Sequence, residues 1–175
     1  MRKEVFGSGC LGPLLEFVNQ EKIQVHRELS LKDVQIHSQI ASGGCGSIHK
    51  ATYNGTSVAV KTFRSFITED GRTEFYRELG VCSMLQHPNL IMSYGAHTQV
   101  AHKDEERFIV LSLLKRGSLW DVIEKEKKHL TKEVRLRMLH DTVKGMEYLH
   151  KQGIIHRDLK SLNLMVQLHI CLKRS

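Results

Sequence analysis

The sequence predicts an α+β fold in two parts. Three observations carry this. Strand signals, including an Asn54-Gly55 turn between two short apolar runs, concentrate in the first two thirds of the chain. The longest stretch with helical periodicity, residues 131–152, follows them. No repeat or low-complexity tract is present, so the elements belong to a packed domain and not to an array.

Taken in order, residues 1–32 read as a flanking segment. It has a Gly-rich start and a short polar helix around Leu14 to Arg27. Ser30 to Ser38 reads as a strand entry through Leu31, Val34 and Ile36. The run Ile40-Ala41-Ser42-Gly43-Gly44-Cys45-Gly46-Ser47-Ile48 is a glycine-rich turn that lets backbone approach closely. Asn54-Gly55 is a hairpin signal joining antiparallel strands over 48–53 and 57–63. In the second strand Ala59, Lys61 and Phe63 share one face, while Val58, Val60 and Thr62 share the other. A strand lysine just after a glycine-rich hairpin reads as a phosphate contact.

Thr68 to Gln86 reads as a helix capped by Thr68, with Phe75, Leu79 and Cys82 at helical spacing. Glu74 and Glu78 lie one turn apart, and either can turn inward to Lys61. Arg107 to Leu114 reads as a buried strand broken by Lys115-Arg116-Gly117. Ser118-Leu119-Trp120-Asp121 has capping-box spacing for a further helix. Thr131 and Gly153 bracket the long helix as N-cap and C′. Its stripe of Leu136, Leu139, Val143, Met146 and Leu149 reads as core. In the tail, Leu168, Ile170 and Leu172 alternate as in a strand.

Composition excludes several classes. Of the 175 residues 41% are apolar and 26% charged, as in an ordinary globular protein. The net charge of +7 comes from Lys and Arg interleaved with Glu and Asp, without a basic, aromatic-rich block. Nucleic acid is therefore not expected as a partner. Cys10, Cys45, Cys82 and Cys171 are widely spaced, which gives no zinc or disulfide pattern. No apolar run approaches a membrane span, and the N-terminal apolar stretch is broken by glycines and Pro13. The expected location is cytoplasmic.

The most specific stretch is Ile154-Ile155-His156-Arg157-Asp158-Leu159-Lys160-Ser161-Leu162-Asn163. It sets a carboxylate, an ammonium and an amide within six positions. Phosphoryl transfer uses such groups: Asp to orient a hydroxyl, Lys to meet phosphate charge, Asn to hold Mg²⁺. Each motif alone is weak, and their order is the evidence. A glycine hairpin, a strand Lys, a helix Glu, an apolar strand, a long helix and H-R-D-L-K-x-x-N follow one another over about residues 33–166. In this the sequence resembles the protein kinase superfamily, and Lys160 aligns it with the tyrosine-kinase-like group of serine/threonine kinases.

The resemblance implies a kinase-like two-lobed fold, with a complete β-rich N-lobe and hinge over 33–114 and part of a helical C-lobe over 115–166. Residues 167–175 would form a divergent tail. It further implies ATP and Mg²⁺ as cofactors. Ile40, Gly43, Gly46 and Ile48 would cover the phosphates and flank adenine, and Ala59 would sit under the base. Lys61, held by Glu78, would pair the α- and β-phosphates. Leu111 would be the gatekeeper, with Ser112 to Leu114, Leu113 included, as the hinge. Asp158 would be the catalytic base, Lys160 would touch the γ-phosphate, and Asn163 would bind the metal. His156 and Arg157 would support the loop.

The chain departs from the pattern in two places. Ala41 replaces the first loop glycine and Cys45 the usual aromatic. No Asp or Glu follows Asp158, and Gln167 to Ser175 stands where a D-F-G would begin. The expectation is a shortened kinase with impaired transfer to a protein Ser or Thr. The alternative is an inactive, pseudokinase-like module that binds a nucleotide or a full-length kinase partner. Exposed apolar surface on the C-lobe, and association through it, is expected in either case.

Overall fold

The structure, a computed structural model, describes residues 27–43, 46–63, 69–99, 107–126, 130–166 and 170–172. The proposed helix at 14–27 and the Thr68 cap lie outside these residues, Arg27 excepted. A 3₁₀ turn at Leu31–Asp33, capped by the Ser30 hydroxyl, leads into β1, Val34–Gly43. β2, Gly46–Tyr53, and β3, Thr56–Phe63, follow. Helix α1 spans Glu69–Met84. β4, Ser93–His97, and β5, Phe108–Ser112, complete an antiparallel sheet in the order β1-β2-β3-β5-β4. Then come α2, Leu119–Glu126, and α3, Lys132–Lys151. A 3₁₀ turn at Ser161–Asn163 precedes a small two-stranded sheet of β6, Leu164–Val166, and β7, Ile170–Leu172. The architecture is the kinase-like α+β arrangement predicted: a five-stranded sheet first, then a helical part.

The local chemistry explains the elements. Asn54 and Gly55 both take positive φ, 46° and 75°, which a tight turn joining twisted strands requires. Thr131 accepts from the Val134 amide and starts α3, while Gly153, at φ 73°, ends it. Ser118 and Asp121 form the reciprocal cap of α2, with Oγ to Oδ2 at 2.6 Å and Asp121 N to Oγ at 3.2 Å. β4 was not anticipated. Ser93-Tyr94-Gly95-Ala96-His97 carries no β-branched residue, and its pairing breaks register between Ser93 and Gly95.

The five-stranded sheet carries a buried cluster on each face, while β1 beyond Val34 is exposed. One face joins Val34, Ala51, Tyr53, Val58, Val60, Phe108 and Val110 with Leu29. The other packs Phe63, Ala96 and Ile109 against Phe75 and Leu79 of α1. The last turns of α1 enter the lower core, where Val81 and Leu85 meet Leu90, Val122, Leu149, Ile154 and Val166. α1 is thus shared between the two cores.

The stripe read as core on α3 holds at Leu149, which is buried, and at Met146, which packs against the lower core, and is corrected at the other three positions. Leu136, Leu139 and Val143 are 55%, 62% and 63% exposed. Beside Leu149 the buried face consists of Asp141, Thr142 and Gly145, with Met138, Met146 and Tyr148 against the lower core. α3 is apolar on two sides. Small residues at 142 and 145 let the other side approach its neighbours more closely.

Candidate functional site

The upper half of the site rises from β1, β2 and β3. Their pairing sets Gly43 opposite Gly46, Ala41 opposite Ile48, and Ile48 opposite Lys61. The two glycines do different work. A Cβ on Gly43 would meet nothing within 4 Å, so its backbone faces open space. A Cβ on Gly46 would come within 1.9 Å of the Thr62 carbonyl oxygen, so Gly46 is demanded by strand packing. Gly44 and Cys45 lie outside the described residues. Ile48 is half-buried. Ile40 falls in the register break between Gln39 and Ala41 and is 52% exposed.

Lys61 projects from β3 on the Phe63 side, toward α1. Its ammonium donates to Glu78 Oε2 and lies 5.0 Å from the Phe63 ring centroid. Both side chains are largely buried. An ion pair so placed is held by geometry and by low dielectric, not by surface attraction alone. Of the two candidate glutamates, Glu78 is the one seen paired with Lys61. Ala59 is buried and sits opposite Leu111 on β5. Leu111 is half-buried against the upper core. Ser112 donates from N to the Met92 carbonyl at 2.9 Å and accepts at Oγ from Met92 N at 3.2 Å. Half-buried Leu113 follows, between Ser112 and buried Leu114.

The lower half is the loop after α3. His156 is buried, and its carbonyl accepts from Asp158 N at 2.8 Å, with Nδ1 3.3 Å from the same nitrogen. Arg157 takes φ 62°, a costly conformation for a bulky residue, and this turns Asp158 outward. Asp158 Oδ2 accepts from Lys160 Nζ at 2.8 Å and from Asn163 Nδ2 at 2.8 Å. Asn163 Nδ2 also donates to the Asp158 carbonyl at 2.9 Å. The Lys160 hydrogen bond is the main reason the Asp158 carboxyl is held below its ordinary range, with Asn163 adding to it. Asp158 is thus a carboxylate at neutral pH. Because Asn163 uses its amide nitrogen twice, its Oδ1 is the atom available to a cation. Among the described residues no cluster of three or more His, Cys, Asp or Glu could hold a metal.

Several supporting contacts had no sequence signal, because they join distant segments. Tyr148 of α3 accepts from Gln86 N at 3.2 Å and stacks on His87 at 4.9 Å, tying the end of α1 to α3. The backbone of Val166 donates to the Gly117 carbonyl at 2.9 Å, which ties the strand after the loop to the start of α2.

Residues 34–175 match the family described as protein tyrosine and serine/threonine kinase. A "Probable LIM domain-containing serine/threonine-protein kinase" of Dictyostelium discoideum is 37% identical over 155 residues, covering 87% of this chain and 23% of its own length. The RGS domain-containing serine/threonine-protein kinase A of the same organism is 34% identical over 161 residues, covering 91% and 14%. Serine/threonine-protein kinase CTR1 of Arabidopsis thaliana is 39% identical over 139 residues, covering 77% and 16%. The chain spans less than a quarter of the length of these relatives.

Proposed function

We propose that this chain, which belongs to the protein tyrosine and serine/threonine kinase family, binds ATP and serves transfer of its γ-phosphate to a Ser or Thr hydroxyl of a protein. The observation that carries the reading is the Lys61–Glu78 pair. It fixes a cation beside Ala59 and below the glycine hairpin, where a triphosphate needs one. Ile48, Ala59, Leu111 and Leu113 would bound the base, with Ile40 and Gly43 at the open rim. Asp158 would orient and accept from the acceptor hydroxyl. Lys160 would move from Asp158 to the γ-phosphate. Bound Mg²⁺ would neutralise phosphate charge, with Asn163 Oδ1 as one ligand and phosphate oxygens as others.

ATP should stabilise the folded chain, and radiolabelled ATP with a generic acceptor protein tests transfer. Asp158→Asn should abolish any turnover while leaving nucleotide binding in place. Absence of ATP-dependent stabilisation, with and without Mg²⁺, would overturn the reading.

One observation favours a second reading, a module that binds a kinase partner. Leu136, Leu139 and Val143 form an exposed apolar stripe, and a groove of about 570 Å³ lined by Val143, Met146 and Leu159 lies beside it. Co-purification with a full-length kinase supports this reading, and a monomer that retains no kinase in that assay counts against it. Among the described residues no helix is long and apolar enough to cross a membrane.

A further inference from the structure

The segment just before the family match is bound to the sheet through both backbone and side-chain hydrogen bonds. β4 is the last strand of the five, so its outer edge would otherwise be open. Residues 27–29 cover it. Leu29 N donates to the Ala96 carbonyl at 2.8 Å, and Ala96 N donates to the Arg27 carbonyl at 2.9 Å. Glu28 and Ala96 form a parallel bridge. Leu29 is buried in the core face with Phe108 and Val110.

Glu28 completes the attachment. Its Oε1 accepts from Thr98 N at 2.8 Å and from Gln99 N at 3.2 Å, and its Oε2 accepts from the Thr98 hydroxyl at 2.6 Å. His97 Nδ1 lies 3.0 Å from the Leu29 carbonyl. Gly95 is shaped for this contact. Its φ is +143°, and a Cβ there would stand 2.3 Å from the Arg27 carbonyl oxygen. The opposite end of β4 adjoins Met92, whose backbone makes both hydrogen bonds to Ser112.

We propose that Arg27–Ser30 is a latch on the outer edge of β4, and that Glu28 is a positioning residue acting through β4 on the Met92–Ser112 junction. The latch lies outside residues 34–175, so the working domain begins before the family match. That Ser112 belongs to the nucleotide hinge rests on the function proposed above. The latch itself does not, and its test uses no nucleotide.

The test is amide hydrogen exchange, residue by residue, on the 175-residue chain. In Glu28→Ala the amides of Leu29, Ala96 and Ser112 should exchange at least about tenfold faster, with the β2–β3 hairpin unchanged. Glu28→Gln should recover most of the protection, because its carbonyl can accept both amides and its NH₂ can donate to Thr98. Faster exchange at Ala96 with Ser112 unchanged would overturn the link to the hinge. Unchanged exchange at Ala96 would overturn the latch. Should Glu28→Ala fail to fold, Thr98→Val removes only the hydroxyl bond, and the same amides should respond more weakly. No change at Ala96 in that variant also overturns the proposal. A chain that loses nucleotide binding but keeps this exchange pattern leaves the latch standing.

Discussion

Lys61 is the residue whose surroundings say most. A lysine on a strand between apolar neighbours usually has its ammonium in water, yet here it is turned to Glu78. Glu78→Gln leaves that ammonium partly buried and without its counter-charge. ATP affinity should fall by roughly tenfold, about 1.4 kcal/mol, measured by titration calorimetry. Asp158 offers a second measurement. Its carboxyl is lowered chiefly by Lys160, so Lys160→Met should move it back up toward the ordinary value of about 3.9. A carbon-13 NMR titration reads the change directly. For a depressed carboxyl, any stabilisation is present above the ordinary value and is lost as pH falls through the lowered one. Asp158 is half-exposed, so the effect on stability is small, while its charge at neutral pH is unaffected.

Among the elements, α3 separates what periodicity can read from what it cannot. Its ends were legible, because capping is local chemistry within four residues. Thr131→Ala should cost about 1 kcal/mol in urea denaturation. Its buried face was legible only at Met146 and Leu149. Leu136, Leu139 and Val143 form a better apolar stripe than Asp141, Thr142 and Gly145, yet the latter face inward. Helical spacing identifies candidate faces, and only packing against α1 and the loop strands selects one. β4 escaped notice for a related reason: its partners are β5 and the 27–29 strap, and its glycine is set by the strap's backbone. In α1 the reading and the structure agree. Phe75 is fully buried, with edge-on contacts to Phe63 at 5.1 Å and Tyr76 at 5.2 Å. Phe75→Ala should destabilise by about 3–5 kcal/mol in the same measurement.

Across the molecule, α1 is the joint. Its middle packs on the sheet and its end packs on α3 and β6, so Glu78 reports the position of both cores. Ligand bound between them should stabilise the whole. At 100 times Kd, ATP should add about 2.7 kcal/mol, read as a rise in Tm. The exposed side of α3 invites a different experiment. A Leu139→Glu, Val143→Glu pair should change monomer stability little, because both side chains are already in water. The same pair should abolish any association through that face, measured by light scattering.

The order of motifs from Gly43 to Asn163 determined the family, the sheet-then-helix architecture and the identity of the charged residues. These depend on residue type and on short spacings, which folding leaves unchanged. Which side of α3 is buried, how Gly46 differs from Gly43 and how Glu28 holds β4 were settled by assembly. Each depends on backbones and side chains far apart in sequence coming within a few ångströms, and no local pattern encodes that distance.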